Sequence, residues 1–496
     1  MNFNILSLDQ GTTSSRAIVF ATDGTIVSKA QYDFRQLYPN PGWVEHDPFD
    51  ILQSQYSAVH DAVCACSEPI SCIGITNQRE TVVVWEKSSG KPVYNAIVWQ
   101  CRRTSSICES LCSIGYSDEI KQKTGLNIDP YFSATKIKWI LNNIPNGLSR
   151  AKNGELLCGT IDTWLIWNLT AKKVHATDVS NASRTMLFNI NTLKWDESIC
   201  ALLDIPICML PTVKNTADDY GVIAPNSLLP PSIYGLHIRS AVGDQQAALF
   251  GQCCFDIGDV KNTYGTGCFA LMNIGDKPSL DSKGLLTTVA WRLFGKTVYA
   301  IEGSVFNAGS SIQWLRDELG IIKTAHECDI LAESVPNTAG VMFISAFTGL
   351  GAPYWDMYAR GAMLGLTRGT TKAHICRAVL QGIAMQVCDL ITAIEDCCGK
   401  KIASLRVDGG ASVSDFMMQF QSDILGTVID RPFTVETTAM GAAFLACIGE
   451  GIFSSYDKIR TLRKTEMLFP PEIDDIARSQ YKLEWTCAIN RIRSKI

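Results

Sequence analysis

The first thirty residues alternate apolar runs with short polar breaks, and this pattern predicts three consecutive strands. Residues 4–9, 16–21 and 25–30 are the apolar runs. Asp23-Gly24 between the last two runs is a strong signal for a tight hairpin turn. The break at residues 10–15 is rich in glycine, threonine and serine. The chain is therefore predicted to open with an antiparallel meander whose first turn is polar.

An amphipathic helix is predicted after this meander. Asp47 is a suitable cap, and Pro48 stands at the first helical position. Apolar side chains then recur at steps of three and four residues, which predicts one buried face made of Phe49, Leu52, Tyr56, Val59 and Val63. Further short strands are predicted at residues 72–75, 81–85 and 94–99.

The second half of the chain repeats this plan. Strands at 260–264 and 268–273 flank the turn Gly265-Thr266-Gly267, and another strand is predicted at 297–301. A long amphipathic helix is predicted over 372–398, with Gly399 as its stop. A strand at 405–407 then enters Asp408-Gly409-Gly410, and helices follow at 414–425 and 438–449. Two related halves predict a bilobal α/β protein with a ligand cleft between domains 1–251 and 252–496.

Composition narrows the possible functions. The chain has 496 residues, too many for one ordinary domain, and a formal net charge of −5 without a basic stripe. Nucleic acid is therefore an unexpected partner. The N-terminal residues lack a signal-peptide pattern, and no long uninterrupted apolar segment predicts a membrane span. We expect a cytoplasmic protein whose 19 cysteines are reduced thiols and hold no metal.

Three glycine-containing turns are candidates for nucleotide binding. Glycine lets backbone amides approach an anion closely, and hydroxyl side chains add donors. The turn at residues 10–15 and the turn Gly265-Thr266-Gly267 form a matched pair, one in each half. Asp9, at the end of the first strand, is a candidate Mg²⁺ ligand. Gly409-Gly410, between a strand and a helix, would let the backbone pass close to a flat base.

Longer sequence strings resemble one family of enzymes. LDQGTTSSR, PGWVEHDP, GITNQRET, YNAIVWQCRR, TDVSNASRTMLFNI, GDQQAALFGQ, KNTYGTGCF, GLGAPYWD and RVDGGA are similar to strings of the carbohydrate kinase family that includes glycerol, xylulose and gluconate kinases. The resemblance runs from residue 5 to the last predicted helix. It implies an α/β fold of two ribonuclease-H-like (actin-like ATPase) domains with an interdomain active-site cleft.

The resemblance also implies an activity. We expect ATP-dependent phosphorylation of glycerol to sn-glycerol 3-phosphate, with Mg²⁺ and ATP as cofactors and a homo-oligomer, dimer or tetramer, as the assembled form. One alternative is a kinase of another polyol or ketose in the same family. A second alternative, from another class, is a non-catalytic actin-like protein that binds ATP without transferring its phosphoryl group.

The resemblance assigns roles to individual residues. The residues that match the glycerol contacts of the family are Arg79, Glu80, Trp99, Tyr131, Asp244, Gln245 and Phe269. Asp244 is the expected general base, which would accept the proton of the attacking hydroxyl. The residues expected around the nucleotide are Thr12, Thr13, Ser14, Arg16, Thr266, Gly309, Gln313, Gly410 and Ser414. Ser414 stands where glycerol kinases commonly carry an asparagine beside the adenine, and we expect its hydroxyl to donate one hydrogen bond over a shorter reach.

Overall fold

The computed structural model describes residues 3–280 and 284–494. The strands up to residue 251 are β1 Asn4–Gln10, β2 Ser14–Ala21, β3 Ile26–Asp33, β4 Glu45–His46, β5 Ile70–Asn77, β6 Val82–Glu86, β7 Ala96–Ile97, β8 Leu156–Thr160, β9 Ala176–Asp178, β10 Phe188–Asn189, β11 Lys194–Trp195, β12 Thr212–Lys214 and β13 Ile238–Gly243. The helices of this half are α1 Pro48–Cys64, α2 Ser105–Ser113, α3 Ser117–Thr124, α4 Ser133–Asn143, α5 Gly147–Lys152, α6 Ile161–Leu169, α7 Val179–Ala182, α8 Glu197–Leu202 and α9 Asp244–Gly251.

The second half contributes nine further strands among the described residues. They are β14 Val260–Tyr264, β15 Cys268–Gly275, β16 Leu286–Leu293, β17 Lys296–Val305, β18 Met342–Ile344, β19 Ala362–Leu364, β20 Ser404–Asp408, β21 Val428–Pro432 and β22 Thr465–Phe469. Its helices are α10 Gly309–Asp317, α11 Ala325–Glu333, α12 Lys372–Cys398, α13 Asp415–Leu425, α14 Thr437–Gly449, α15 Tyr456–Arg460 and α16 Asp475–Ile492.

The two largest sheets have the same core topology. The first has the order β13-β5-β1-β2-β3, and the second contains β21-β20-β14-β15-β17 in the corresponding places. In each, an antiparallel meander of three strands is extended by two parallel strands on the side of its first strand. The expected α/β fold with two ribonuclease-H-like, actin-like ATPase units is therefore confirmed.

Most of the predicted elements occur close to their expected positions. The predicted strand 260–264 and helix 372–398 have the observed bounds, and Gly399 ends that helix in the left-handed conformation, with φ of 63°. Asp47 caps α1, and its side chain accepts a hydrogen bond from the Phe49 amide. Two predictions were wrong in part. Phe49 is 53% exposed, since Ile51 takes its place in the buried face, and residues 94–99 form only the two-residue strand β7.

Helices α9 and α14 pack backbone against backbone. A Cβ atom added at Gly441 would lie 1.9 Å from the Ala247 carbonyl oxygen, and one at Gly251 would lie 2.1 Å from that of Thr437. Real Cβ atoms do not approach so closely, so both positions require glycine. This contact packs the helix that follows β13 against a helix of the second half.

Helix α12 is long and apolar enough to cross a membrane by length and composition. In the fold it is a core helix, because 83% of its most apolar stretch is buried inside the protein. It packs under the second sheet, where Val379, Ile383 and Val387 join the main hydrophobic cluster. The helix is therefore apolar because it is buried in the core of the second half.

Candidate active site

Two adjoining cavities are lined by all the residues to which the family resemblance assigned a substrate or nucleotide role, and by Asp9. The larger, about 440 Å³, lies between the two sheets, and the smaller, about 390 Å³, lies in the second half. They share Gly265, Thr266 and Gln313. The predicted residues lining the larger cavity are Asp9, Thr12, Thr13, Ser14, Arg16, Arg79, Glu80, Trp99, Tyr131, Asp244, Gln245, Thr266, Phe269 and Gln313. Those lining the smaller cavity are Thr266, Gly309, Gln313, Gly410 and Ser414.

The first polar turn is held in place by Gln78, which directly follows β5, and by Trp99. The Gly11 amide donates to the Ser14 carbonyl at 2.9 Å, which closes the turn between β1 and β2. The Gln78 side-chain amide donates to the Gly11 carbonyl at 3.0 Å. The Trp99 indole N–H donates to the Thr12 hydroxyl oxygen at 3.0 Å. The turn therefore presents its free amides and hydroxyls to the cavity in a fixed geometry.

Asp9 lies at the end of β1 beside a chain of charges. Its Oδ2 atom lies 2.9 Å from Nη2 of Arg16 and accepts no hydrogen bond from any described residue. Nη1 of Arg16 donates to Glu436 at 2.8 Å. Burial raises the pKa of the Asp9 carboxyl, and Arg16 opposes this shift. A buried carboxylate that lines a cavity can bind a cation in addition to its ion pair with an arginine.

The chemistry of this site fits Mg²⁺ that is held jointly by protein and nucleotide. No cluster of three or more His, Cys, Asp or Glu side chains that could hold a metal occurs within residues 3–280 and 284–494. Mg²⁺ commonly uses one or two carboxylates and completes its octahedral shell with water and substrate phosphates. Asp9 supplies one such carboxylate, and the polar turns supply the place for the phosphates.

The second polar turn is attached to the start of α10 and to the Gly409-Gly410 segment. Backbone amides of residues 308 and 309 donate to the carbonyls of Thr266 and Gly265 at 2.8 and 3.0 Å. Gly409 has a φ of 86°, and a Cβ there would lie 2.6 Å from the Tyr264 carbonyl oxygen. Gly410, by contrast, faces open space in the smaller cavity. One glycine thus permits close packing, while the next leaves room for a ligand.

The Ser414 hydroxyl is already engaged within the protein. Its oxygen accepts a hydrogen bond from the Met417 amide at 3.1 Å, which caps α13. The hydroxyl donates to Asp329 Oδ1 at 2.5 Å. Ser414 lines the smaller cavity as predicted, but its one donor is directed to Asp329. The side chain therefore shapes this cavity but has no spare donor for a base.

We expect the change Ser414→Ala to affect stability more than nucleotide affinity. Loss of an N-cap serine costs about 0.5–2 kcal/mol of unfolding free energy, whereas KM for ATP should change less than about threefold because the hydroxyl donates to Asp329. Denaturant unfolding and steady-state kinetics measure the two quantities. Ser455→Ala, which removes the N-cap of α15 away from both cavities, is the matched control. A tenfold rise in KM for ATP in Ser414→Ala alone would contradict this expectation.

Aromatic rings form one wall of the larger cavity. Trp99 contacts Tyr131 and Phe269 edge to face, with ring centroids 5.6 and 6.0 Å apart. Tyr131 and Trp99 come from the first half, and Phe269 comes from β15 of the second. Such a wall offers apolar contact to a short carbon chain, with Tyr131 adding a hydroxyl at its edge.

A buried network of charges lies beside this aromatic wall. Arg79 donates from Nη1 and Nη2 to Glu302 at 2.5 and 2.9 Å. Arg184 donates to Glu80 at 2.6 Å and to Glu302 at 2.9 Å. Burial raises the pKa of Glu80, and the nearby charges of Arg79 and Arg184 only partly offset this rise. For Glu302 burial also acts to raise the pKa, but the two arginines outweigh it and hold the pKa below its usual value. Glu302, on β17, thus carries the negative charge that binds both guanidinium groups.

The backbone at Glu80 adopts a conformation that is rare outside glycine. Its φ is 61°, in the left-handed region, where an ordinary residue is held only by its surroundings. The Glu80 carbonyl accepts a hydrogen bond from the Ser133 hydroxyl at 3.0 Å, and Arg184 holds its carboxylate. The left-handed backbone at Glu80 therefore lets the side chains of the adjacent residues Arg79 and Glu80 both join the buried network of charges.

Asp244 is the first residue of α9, and its carboxylate both reaches the larger cavity and lies beside Arg79. Its carboxylate is 29% exposed to the larger cavity and lies 3.1 Å from Nε of Arg79. It accepts a hydrogen bond from the Gln245 amide at 2.7 Å. Burial raises the pKa of the Asp244 carboxyl, and Arg79 and Lys261 oppose the shift. In its deprotonated form this carboxylate can accept a proton at the cavity.

Arg184, Glu302 and Lys261 are the charged residues that the sequence interpretation missed. Lys261 is buried and donates to Gln245 at 2.5 Å and to the Thr263 hydroxyl at 2.8 Å. Burial lowers the pKa of Lys261 to about 8. The sequence did contain a sign of two of these residues, because a charge at a buried strand indicates a functional or paired group. Lys261 lies inside the predicted strand 260–264, and Glu302 directly follows the predicted strand 297–301. Arg184 lies within one of the recognised strings.

Comparisons with known proteins agree with this architecture. The model of the FGGY family of carbohydrate kinases, N-terminal domain, matches residues 4–251, and the model of the C-terminal domain matches residues 260–450. Glycerol kinase 2 of Thermotoga maritima is 54% identical, with 98% of each chain covered. The crystal structure of Plasmodium falciparum glycerol kinase with ADP superposes with a TM-score of 0.91 at 37% identity, covering 100% of this chain and 99% of that one. A ligand-bound xylulose kinase of Lactobacillus acidophilus, 23% identical with a TM-score of 0.86 and 98% of each chain covered, shares the fold.

Proposed function

The chain belongs to the FGGY family of carbohydrate kinases, and from that premise we propose that it transfers the γ-phosphoryl group of ATP to glycerol, forming sn-glycerol 3-phosphate and ADP. The observation that carries the proposal is the position of Asp244. Its carboxylate opens into the cavity that is lined by the aromatic wall, by Arg79 and by both polar turns. Full-length relatives named glycerol kinase, 52–54% identical to this chain, support the choice of glycerol.

Proton transfer to Asp244 is the step that this chain performs chemically. The attacking hydroxyl oxygen of glycerol forms a bond to the γ-phosphorus as the bond to the β–γ bridging oxygen breaks. The hydroxyl proton passes to the Asp244 carboxylate, and ADP leaves with the bridging oxygen. Such positioned base catalysis contributes about 10²–10⁴-fold. Alignment and charge stabilisation around the transferring group supply most of the remainder.

The two polar turns and the residues around them would hold the nucleotide. Backbone amides near Thr12, Thr13 and Thr266 face the cavity, and Arg16 adds positive charge. Gly309, Gln313, Gly410 and Ser414 line the neighbouring cavity, which has room for the adenosine. Mg²⁺, with Asp9 as its protein ligand, would neutralise phosphate charge when bound.

Glycerol specificity would arise from groups that stay unpaired with a wrong substrate. Arg79, Glu80, Tyr131 and Gln245 surround the larger cavity with donors and acceptors, while Trp99 and Phe269 limit its width. A site built to hydrogen-bond a hydroxyl rejects analogues that lack it more strongly than an apolar pocket can reject an extra methylene. A three-carbon triol satisfies these groups within a short apolar wall.

We also propose the division of the chain into domains 1–251 and 252–496. The family models, which end at residue 251 and begin again at residue 260, support this boundary. That the chain works as a homo-oligomer in the cytoplasm stays a prediction, which sedimentation velocity and cell fractionation check.

A coupled assay of ADP formation tests the proposed function. With ATP and Mg²⁺, glycerol is expected to give turnover at least about 100-fold faster than xylulose or gluconate at equal concentration, because a longer chain confined beside Trp99 and Phe269 cannot place its hydroxyls on the same polar groups. Phosphorus NMR of the product should show a glycerol phosphomonoester. Faster turnover of a sugar would favour the alternative polyol or ketose kinase. Tight ATP binding without transfer to any of the three compounds would contradict a kinase altogether.

A further inference from the structure

A buried aspartate caps helix α7 behind the active site. The Asp178 carboxylate accepts hydrogen bonds from the amide and hydroxyl of Ser180, each at 2.9 Å. It also accepts from the amide and side chain of Asn181 at 2.8 and 3.0 Å and from the Thr216 hydroxyl at 3.1 Å. A carboxylate that accepts five donors in the interior fixes the direction of each of those hydrogen bonds.

One branch of this network leads to the general base. The Ser180 hydroxyl, whose proton is donated to Asp178, accepts a hydrogen bond from the Gly243 amide at 2.9 Å. Gly243 ends β13 and immediately precedes Asp244. A Cβ atom at Gly243 would lie 2.8 Å from Cδ of Arg79. The Ser180 hydroxyl therefore holds the backbone on which the Arg79 side chain rests and from which Asp244 extends.

The other branch leads to the neighbouring strand. The side-chain amides of Asn181 and Asn77 pair reciprocally, at 3.0 and 3.1 Å. Asn77 ends β5, lies two residues before Arg79, and donates to the Gln78 carbonyl at 2.9 Å. Asn77 and Gly243 are register partners in parallel strands. The same carboxylate thus connects to the ends of both strands that carry the active-site pair.

We propose that Asp178 is a positioning residue of the phosphoryl-transfer reaction. Acting through Ser180 and Asn181, it sets the position of Asp244 relative to Arg79 and so maintains their 3.1 Å contact. Neither Asp178 nor Ser180 is among the described residues that line the two cavities. The activity measurement rests on the proposed glycerol phosphorylation.

Two variants that each remove one hydroxyl donor from Asp178 separate positioning from stability. Ser180→Ala breaks the connection to Gly243, whereas Thr216→Val removes a donor that does not lead to either strand end. Ser180→Ala is expected to lower kcat about 10-fold or more, because small misplacements of reacting groups are costly, with KM for ATP unchanged. Thr216→Val should keep kcat within about twofold. Asp178→Asn should resemble Ser180→Ala with a larger loss.

The pH profile of kcat/KM gives a second measurement that loss of stability alone would not change. Arg79 lowers the pKa of Asp244, so separating the two groups raises that pKa. The acidic limb of the Ser180→Ala profile is therefore expected at higher pH than that of the wild type, while the Thr216→Val limb stays in place. The positioning role is overturned if Ser180→Ala keeps both the wild-type kcat and the wild-type position of the acidic limb. It is also overturned if Ser180→Ala and Thr216→Val lose kcat to the same extent and this loss parallels their loss of stability.

The wild-type enzyme in the same assay keeps this test separate from that of the function. Absence of glycerol phosphorylation in the wild type refutes the proposed function and, with it, the positioning role. Normal wild-type turnover with an unaffected Ser180→Ala variant refutes the positioning role of Asp178 alone. If Asp178→Asn fails to fold, the comparison of Ser180→Ala with Thr216→Val still decides the question.

Discussion

Replacement of Asp244 by asparagine is expected to reduce kcat for glycerol about 10²–10⁴-fold, which is the contribution of a positioned general base. The asparagine side chain has nearly the same shape, but its amide cannot accept the hydroxyl proton at neutral pH. KM for ATP should stay close to the wild-type value, because Asp244 lies beside Arg79 and not in the cavity lined by Gly410 and Ser414. Steady-state kinetics with the coupled assay measure both constants.

The control for this variant is a surface aspartate. Asp204→Asn removes a carboxylate that is 58% exposed and pairs with Lys138, outside both cavities. Its kcat should equal that of the wild type. If Asp244→Asn retained more than about a tenth of wild-type kcat, Asp244 would not be the base and the proposed mechanism would be wrong.

The pH dependence follows from the same residue. Burial raises the pKa of Asp244, so the active, deprotonated form is lost at a higher pH than for an exposed aspartate. The acidic limb of kcat/KM should lie above the usual pKa of about 3.9. The residual activity of Asp244→Asn should lack this limb, and persistence of the limb in the variant would assign it to another group.

Local features of this site could be predicted from the sequence. The turn at residues 10–15 and the turn Gly265-Thr266-Gly267 are specified by composition and by the apolar strands around them. The Gly409-Gly410 turn was also predicted, and Gly409 is required there because its backbone is left-handed and packs closely against Tyr264. Family resemblance then added Asp244, whose motif by itself also fits an ordinary helix start.

Long-range pairing could not be predicted in this way. Arg184 and Glu302 are separated by 118 positions, and Arg79 and Glu302 by 223, so nothing local indicates that they meet. Phe49 was misplaced because periodicity alone assigned it to the buried face, whereas the first turn of α1 directs it outward. The Ser414 hydroxyl was expected to be available, but its partner Asp329 is 85 positions away. Tertiary contacts decide these cases.

Among the variants proposed for this protein, Glu302→Gln is expected to lose the most unfolding free energy. The change keeps the shape of the side chain but removes the charge that binds two fully buried arginines. Removing one member of a buried ion pair costs about 3–5 kcal/mol of unfolding free energy, because the opposite charge is left without compensation. KM for glycerol should rise as well, since Arg79 loses the bidentate partner that orients it beside Asp244. Denaturant unfolding and glycerol titration measure the two effects.

The chain provides a matched control for this variant. Asp256 accepts a bidentate pair from Arg460 at 2.8 and 2.7 Å, the same geometry as that of Glu302 with Arg79, but its side chain is 70% exposed. Because water screens an exposed pair, Asp256→Asn should cost less than about 1 kcal/mol and leave KM for glycerol unchanged. Equal costs for the two variants would show that burial does not set the strength of the Glu302 pair. An unchanged KM for glycerol in Glu302→Gln would show that Arg79 is oriented by Asp244 and Gln246 without it.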